Sequence, residues 1–375
     1  MQQSLAEQLA TFVNTASFDE GAIGGLVPNR LPRDVRAKIG DPFLSFASAE
    51  ASGTTLRFST TADIVHLRVS TSALLVPDFP RANPSLVVRS GAFEEVLQLD
   101  AGTIEFNPQT GAVRIASGPV QDLLLHRAPG DGVMTILLPH NAPIEILGLD
   151  ADAPLLPAAD ERPVWLHYGS SISHCTDADT PASTWPMQVA DGLGWQLRSL
   201  GLNGQAQLDQ SVARFMRELP ADIITVKVGV NIVGAGSMRR RVFRSAVHGF
   251  LDTIREGHPE TPIVLIGAII CLALENSMGP GSVENGRFLP PPVGTVAGPD
   301  ALTLADSRSI LREIVLERVA TDGAIAYLDG RELFGESDAH LLPDDLHPNQ
   351  EGMNLIATRF IDKVPRILNG FEKAK

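Results

Sequence analysis

The most informative stretch of the sequence is Val164-Trp165-Leu166-His167-Tyr168-Gly169-Ser170-Ser171-Ile172-Ser173. An apolar, aromatic-rich run ends there at a glycine and brings two serines to a turn, directly before a segment with helix-start signals. A serine at the C-terminal end of a parallel strand is exposed at the sheet edge, where open α/β folds carry out their chemistry. The stretch therefore indicates an α/β sheet with a reactive serine at its edge.

From Val164 onward, continuous apolar runs alternate with helical patterns. This alternation is typical of a parallel sheet with helices on both faces, so we predict an α/β domain over residues 164–375. The predicted strands are Val164–Tyr168, Gln196–Leu202, Ile223–Val228, Ile263–Ile270 and Ile325–Leu328. The predicted helices lie near Thr184–Leu193, Gln210–Leu219, Met238–Glu256, Leu302–Ala320 and Gln350–Leu368.

Residues 1–151 show a different period. After a predicted helix near Ser4–Val13, short runs such as Phe43–Ser48 and Thr55–Ser59 are separated by Gly, Pro or Asn every ~8–12 residues. Many of these runs alternate apolar and polar residues, which predicts a β-sandwich of the jelly-roll type. Residues 152–163, rich in Pro and Asp, are predicted to be a linker.

Length and composition exclude several classes of protein. A chain of 375 residues is too long for one ordinary core, so two domains are expected. The net charge of −14 argues against nucleic acid or an anionic membrane as partner. Two cysteines, Cys175 and Cys271, make neither a disulfide framework nor a metal site. The first residues lack the basic start and apolar core of a signal peptide, and no run is long enough to span a membrane, so a cytoplasmic protein is expected.

A second chemical signal lies far downstream, in Asp344-Asp345-Leu346-His347. An aspartate three residues before a histidine can hold the Nδ1–H of the ring while Nε2 reaches a serine. Simpler interpretations remain open at this point. Ser171 could cap the following helix, and His347 could be a loop residue hydrogen-bonded to Asp344.

The order of these motifs resembles the GDSL, or SGNH, family of serine esterases and acyltransferases. Gly169-Ser170-Ser171-Ile172 corresponds to the first block of the family, although Ser170 replaces its usual aspartate. Three further blocks follow in the family order, at Gly204, at Gly229-Val230-Asn231 and at Asp344…His347. In the third block, Ile232 stands where the family usually has aspartate. The resemblance covers roughly Val164 to Leu368 and implies a flavodoxin-like, three-layer α/β/α fold.

The resemblance also implies a role for each residue. Ser171 would be the nucleophile, His347 the base and Asp344 the residue that orients it. The Ser171 N–H, the Gly204 N–H and the Asn231 side-chain amide would form the oxyanion hole. No His/Glu metal pattern or Gly-rich phosphate loop is visible, so no metal and no bound cofactor is expected.

A jelly-roll-like first half before a Gly-Ser-Ser-Ile block is similar to the arrangement in acyltransferases of tetracycline-type polyketide biosynthesis. That similarity implies transfer of a salicylyl group from a coenzyme A thioester, with acyl-CoA as co-substrate and a polyketide hydroxyl as acceptor. An esterase acting on small or carbohydrate-borne esters is the alternative. All three tryptophans and both tyrosines lie after residue 163, in the predicted α/β domain. Their absence from residues 1–151 argues against a sugar-binding sandwich, since sugar sites usually use such rings. An inactive hydrolase fold used for binding is the third possibility.

Two further segments could contact substrate. Glu275–Pro299 has no helical or strand period and follows the fourth predicted strand. Within it, we expect Gly286–Pro299 to form an apolar flap in which Phe288, Leu289 and Val293 bind substrate. An insertion without contact to the site is the alternative. Arg239-Arg240-Arg241 opens a predicted helix, either as a solvated face or as contacts to a phosphate-bearing substrate such as coenzyme A.

Overall fold

The computed structural model of the protein describes residues 4–75, 82–107, 110–130, 132–292, 298 and 300–373. The chain divides into two compact units. The first consists of Met1–Glu161 together with Cys175–Thr184, and the second of Arg162–His174 together with Trp185–Lys375. The sequence predicts one continuous domain over residues 164–375. In the structure, Cys175–Thr184 of that range belongs to the first unit.

The first unit is a β-sandwich, as predicted. In one sheet the strands lie in the order β1-β2-β11-β4-β7-β8, and β9 also pairs with β4; in the other the order is β12-β3-β10-β5-β6. Buried side chains of both sheets, including Phe58, Leu67 and Ile136, meet in one apolar core. The strands are β1 Ser17–Glu20, β2 Leu26–Asn29, β3 Thr55–Ser59, β4 Ile64–Leu74, β5 Ser85–Ser90, β6 Phe93–Gln98, β7 Ala101–Phe106, β8 Val113–Ala116, β9 Gln121–His126, β10 Val133–Leu137, β11 Ile144–Ala151 and β12 Leu156–Pro157.

Three α-helices accompany these strands, α1 Leu5–Phe12, α2 Arg33–Ile39 and α3 Pro42–Ala49, within the described part of the first unit. The third of them corrects the prediction of a strand over Phe43–Ser48. Asp41 caps the helix, because its carboxylate accepts a hydrogen bond from the Leu44 N–H at 2.9 Å. Pro42 has the φ angle of a first helical turn already fixed by its ring. These two residues were the helix signal, and they outweigh the strand-like apolar run that follows.

The second unit is a parallel sheet between two layers of helices, which confirms the predicted fold. The strands lie in the order β14-β13-β15-β16-β19, and all four pairings are parallel. Counted within the unit, this is the flavodoxin-like order 2-1-3-4-5, whose ligand crevice lies where the order reverses, beside the first and third strands. The strands are β13 Val164–Gly169, β14 Gln196–Gly201, β15 Ile223–Lys227, β16 Ile263–Ile266 and β19 Ile325–Leu328.

Side chains that alternate along β13 contact different helical layers. Trp165 packs against Trp185 and Phe360, whereas Tyr168 packs against Phe250. The helices that supply these partners therefore cover opposite faces of the sheet. The helices are α4 Ser171–His174, α5 Trp185–Leu193, α6 Gln210–Glu218, α7 Val230–Ala235, α8 Arg240–Gly257, α9 Leu304–Arg318 and α10 Gln350–Lys373. No helix in the described part of the chain is long and apolar enough to cross a membrane.

The segment after β16 contains a β-hairpin, which the sequence pattern does not predict. Strands β17 Ser282–Glu284 and β18 Arg287–Leu289 form an antiparallel hairpin. Asn285 and Gly286 connect them with φ angles of 51° and 73°. Asn-Gly is the preferred pair for a two-residue hairpin turn, since both residues tolerate positive φ. The prediction of a segment without strands was therefore wrong, although its turn signal was visible in the sequence.

Candidate active site

The structure brings Ser171, His347 and Asp344 together in one hydrogen-bonded chain. The Ser171 Oγ lies 2.8 Å from Nε2 of His347, and Nδ1 of the same ring lies 2.6 Å from Oδ2 of Asp344. An ionised carboxylate only accepts hydrogen bonds, so Nδ1 carries the ring proton and Nε2 is left to accept the serine hydroxyl. This is the geometry of a nucleophile, a general base and an orienting acid.

The loop before α10 holds the Asp344 carboxylate in place. Its Oδ1 accepts hydrogen bonds from the backbone N–H groups of Leu346 at 3.0 Å and His347 at 2.6 Å. Burial alone would raise the pKa of Asp344, but the hydrogen bonds from the His347 ring and from these N–H groups outweigh it and hold the pKa below its ordinary value. The carboxylate therefore stays charged at neutral pH.

The structure distinguishes the two serines of the turn. Ser171 is the first residue of α4 and is partly exposed, while Ser170 is buried and its Oγ accepts a hydrogen bond from the Ile172 N–H at 3.3 Å. Gly169 ends the strand without a side chain because a Cβ there would lie 2.2 Å from the Ser173 Oγ. Close packing of the helix on the strand end thus brings Ser171, not Ser170, to the histidine.

The ring of His167 contacts the short helix that begins at Ser171. The ring is fully buried in β13, with Nδ1 2.6 Å from the Thr225 Oγ1 and Nε2 2.8 Å from the Ser173 Oγ. Burial and the positive charge of Lys227 lower the pKa of His167 to about 3, so the ring is neutral. The contacts show that it joins two strands to the helix of Ser171.

The predicted oxyanion donors follow three neighbouring strands. Ser171 follows β13, Gly204 lies in the turn after β14 with a φ of 67°, and Asn231 lies in the first turn of α7 after β15. The Asn231 Oδ1 accepts a hydrogen bond from the Ala206 N–H at 3.1 Å. Its Nδ2 makes no hydrogen bond within the described residues. That amide group is available to a substrate oxygen, as an oxyanion donor requires.

The predicted substrate-binding residues of the flap lie in or beyond the hairpin. The Phe288 N–H donates to the Asp344 carbonyl at 2.8 Å, and its ring lies against Gly281. Leu289 is half-buried at the end of β18. Val293 lies outside the described residues. Contact of these side chains with substrate stays a prediction.

The remaining candidates are the arginine run at the start of α8 and the buried Cys175. Arg239, Arg240 and Arg241 are exposed, and Arg240 forms an ion pair with Asp306 at 3.1 Å. Contact of this arginine run with coenzyme A stays a prediction. Cys175 is buried. Among the described residues, no cluster of three or more His, Cys, Asp or Glu side chains is placed to hold a metal ion.

Comparison with known proteins identifies the family of this chain. Residues 167–355 match the profile of the GDSL-like lipase/acylhydrolase family. The chain belongs to this family. No curated protein matches it. Among solved structures, it is similar to the salicylyl-acyltransferase SsfX3 from a tetracycline biosynthetic pathway, with 26% identity and a TM-score of 0.74 over 95% of this chain and 94% of the other.

Two further structures share the fold of this GDSL-family chain. A GDSL-like lipase from Bacteroides ovatus is 18% identical, with a TM-score of 0.62 over 91% of this chain and 92% of the other. A family two carbohydrate esterase from Cellvibrio japonicus is 13% identical, with a TM-score of 0.57 over 96% of each chain. Both comparisons extend through the β-sandwich as well as the α/β unit.

Proposed function

We propose that this GDSL-family protein is a serine-dependent acyltransferase. It would move a salicylyl group from a coenzyme A thioester to a hydroxyl group of a tetracycline-type polyketide. The observation that carries the serine chemistry is the hydrogen-bonded chain from Ser171 through His347 to Asp344, with distances of 2.8 and 2.6 Å. Acyl-CoA is a co-substrate in this proposal, and no bound cofactor takes part.

The reaction proceeds in two half-reactions. In the first, His347 Nε2 takes the proton of Ser171 as Oγ attacks the thioester carbonyl carbon, and the C–S bond then breaks as His347 returns the proton to the leaving thiolate. In the second, His347 takes the proton of the acceptor hydroxyl, whose oxygen attacks the acyl-serine. The C–O bond to Ser171 breaks, and the proton returns to Ser171.

The negative oxygen of each tetrahedral intermediate needs hydrogen-bond donors already in place. We assign this role to the Ser171 N–H, the Gly204 N–H and the Asn231 Nδ2. Each such donor typically contributes about 3 kcal/mol to transition-state stabilisation. Asp344 keeps His347 in the tautomer that accepts from serine, and its charge stabilises the imidazolium that forms in each half-reaction.

The choice of transfer over hydrolysis is supported by the likeness to the salicylyl-acyltransferase, which extends over 95% of this chain. Hydrolysis of small or carbohydrate-borne esters is the second candidate, supported by the acylhydrolase description of the family. The two reactions share the acyl-serine and differ in whether water or a hydroxyl acceptor reaches it.

One experiment separates these reactions. The pure protein and its Ser171→Ala variant are incubated with salicylyl-CoA, with and without a tetracyclic polyketide alcohol, and the products are identified by mass spectrometry. We expect coenzyme A release and an ester of the polyketide from the unaltered protein alone. Free salicylate with no ester would favour a hydrolase, and faster release of acetate from acetylated xylo-oligosaccharides would favour a carbohydrate esterase. Unchanged activity of Ser171→Ala would refute the serine mechanism.

A further inference from the structure

The hairpin β17–β18 is attached directly to the loop that carries Asp344. The Arg287 guanidinium donates two parallel hydrogen bonds to the Asp345 carboxylate, from Nε at 2.6 Å and from Nη2 at 2.8 Å. Beside this ion pair, the Phe288 N–H donates to the Asp344 carbonyl. A paired fork of this kind restricts orientation more than a single contact does.

Asp345 has an unusual backbone conformation. Its φ angle is 67°, in the left-handed region that most non-glycine residues adopt only at a cost and that aspartate and asparagine adopt more readily. Asp344 must accept hydrogen bonds from the N–H groups of the two residues after Asp345, so the chain has to turn sharply at this position. The same conformation therefore determines where His347 lies relative to the Asp344 carboxylate.

The other end of the hairpin is fixed to the helix of Asn231. The N–H of Gly279 donates to the Val233 carbonyl at 2.9 Å, and the N–H of Gly281 donates to the Gly234 carbonyl at 3.0 Å. Val233 and Gly234 lie in α7. One short segment thus contacts both the loop of Asp344 and the helix that carries Asn231.

We propose that Arg287 is a positioning residue, whose ion pair with Asp345 holds the left-handed turn that aligns Asp344 with His347. This inference rests on the proposed function, because it assumes that the two aligned residues activate Ser171. Arg287 itself is 63% exposed, and an exposed ion pair by itself stabilises a fold little. Its effect is therefore expected on the reactivity of Ser171 and not on unfolding.

Four substitutions separate the effect of the ion pair from the effect of the positive φ angle at Asp345. Arg287→Met removes the charged fork and keeps an unbranched side chain of similar length, and Arg287→Lys keeps the charge without the fork. Asp345→Ala removes the partner and leaves a residue that resists positive φ, whereas Asp345→Gly removes the partner and adopts positive φ freely. A merely electrostatic role would make the alanine and glycine variants equal.

The test measures the labelling rate of Ser171 with a fluorophosphonate, a probe that reports serine activation whatever the natural acyl group is. We expect Arg287→Met and Asp345→Ala to label about tenfold more slowly, Arg287→Lys to be intermediate and Asp345→Gly to stay near the rate of the unaltered protein. In the Asp345→Gly background, Arg287→Met should cause no further loss. Urea midpoints, followed by tryptophan fluorescence, should remain unchanged for the two Arg287 variants and should fall for Asp345→Ala, because alanine adopts positive φ only at a cost.

Arg331→Met is the matched control. Arg331 forms the same two-bond pair with Asp329, at 3.1 and 2.8 Å, in another part of the second unit. The Arg331→Met variant should be labelled at the same rate as the unaltered protein. Equal rates for Asp345→Ala and Asp345→Gly, or an undiminished rate for Arg287→Met, would overturn the inference. Failure of the unaltered protein to label at Ser171 would instead contradict the proposed function.

Discussion

The side-chain oxygen of Asn231 accepts a hydrogen bond from the backbone N–H of Ala206 at 3.1 Å. Ala206 closely follows the turn of Gly204, so this single bond joins two of the three proposed oxyanion donors. It also fixes which end of the amide is engaged. The oxygen is occupied by the protein, and the NH₂ group is left for the substrate.

Replacing Asn231 should therefore impair catalysis more than folding. Asn231→Asp keeps an acceptor for the Ala206 N–H and loses the donor, so we expect kcat to fall about 100-fold or more. Asn231→Ala should lose at least as much, because it also releases the Ala206 N–H. Steady-state kinetics with salicylyl-CoA measure both variants. Full activity of Asn231→Asp would exclude this side chain from the oxyanion hole.

Replacing each of the two serines by alanine gives a second prediction. Ser171→Ala should lower kcat by at least about a thousandfold, because the nucleophile and its base act as a unit. Ser170→Ala should keep most of the activity and lose about 1 kcal/mol of folding stability, since among the described residues its Oγ accepts a hydrogen bond only from the Ile172 N–H. Product formation and urea unfolding are measured for both. The opposite pattern would move the nucleophile to Ser170.

The two adjacent aspartates should also differ. Asp344→Asn should lower kcat by about 10⁴-fold, because an amide at this position favours the wrong tautomer of His347. Asp345→Asn should have a mild effect, since asparagine tolerates positive φ and keeps one acceptor for Arg287. Kinetics of the two variants side by side give the answer. An inactive Asp345→Asn beside an active Asp344→Asn would assign the orienting role to Asp345.

The buried ring of His167 predicts a pH dependence of stability. In the unfolded chain this histidine binds a proton below about pH 6.5, whereas in the folded protein its pKa is about 3. Stability should thus fall as the pH decreases from 6.5 towards 3, by about 1.4 kcal/mol for each pH unit from this group. His167→Gln, which cannot titrate, should be less stable at pH 7.5, and the difference should narrow on acidification.

Urea unfolding at several pH values measures this effect. All three tryptophans lie in the second unit, so their fluorescence reports that unit. His340→Gln removes an exposed histidine of the same unit and serves as the control for loss of an imidazole. A difference between His167→Gln and the unaltered protein that stays constant from pH 7.5 to 4 would contradict the prediction.

Much of the second unit could be predicted because apolar runs and helical periods alternate regularly along its sequence. Ile325–Leu328 has the predicted bounds, and Gln210–Glu218 differs from prediction by one residue. Elements outside this alternation escaped prediction because their signals are local. Helix α7 has six residues and follows Gly229 at a φ of 131°, so no apolar period could reveal it. The apolar run Phe43–Ser48 predicts a strand in place of helix α3, because the helix signal lies in the two residues before that run, Asp41 and Pro42.

In the candidate site, too, some features could be predicted from the sequence and others could not. Ser171 and His347 could be proposed as partners because each belongs to a short motif, and the structure brings these motifs together. The contacts that support them could not be read from the sequence. Nothing in the sequence joins Arg287 to Asp345, because a hydrogen bond across 58 positions depends on where the chain folds back. The role of His167 likewise depends on which strand supplies Thr225.

The chain passes between the two compact units three times, after Glu161, after His174 and after Thr184. The first unit is therefore not encoded by one continuous block of sequence, although all of its strands lie before Arg162. A single recombination crossover between relatives near residue 161 would exchange most of the first unit and leave Cys175–Thr184 from the other parent. Substitutions in that segment and in 1–161 must then suit one another after any such exchange. The first unit is therefore expected to tolerate exchange only together with the stretch Cys175–Thr184.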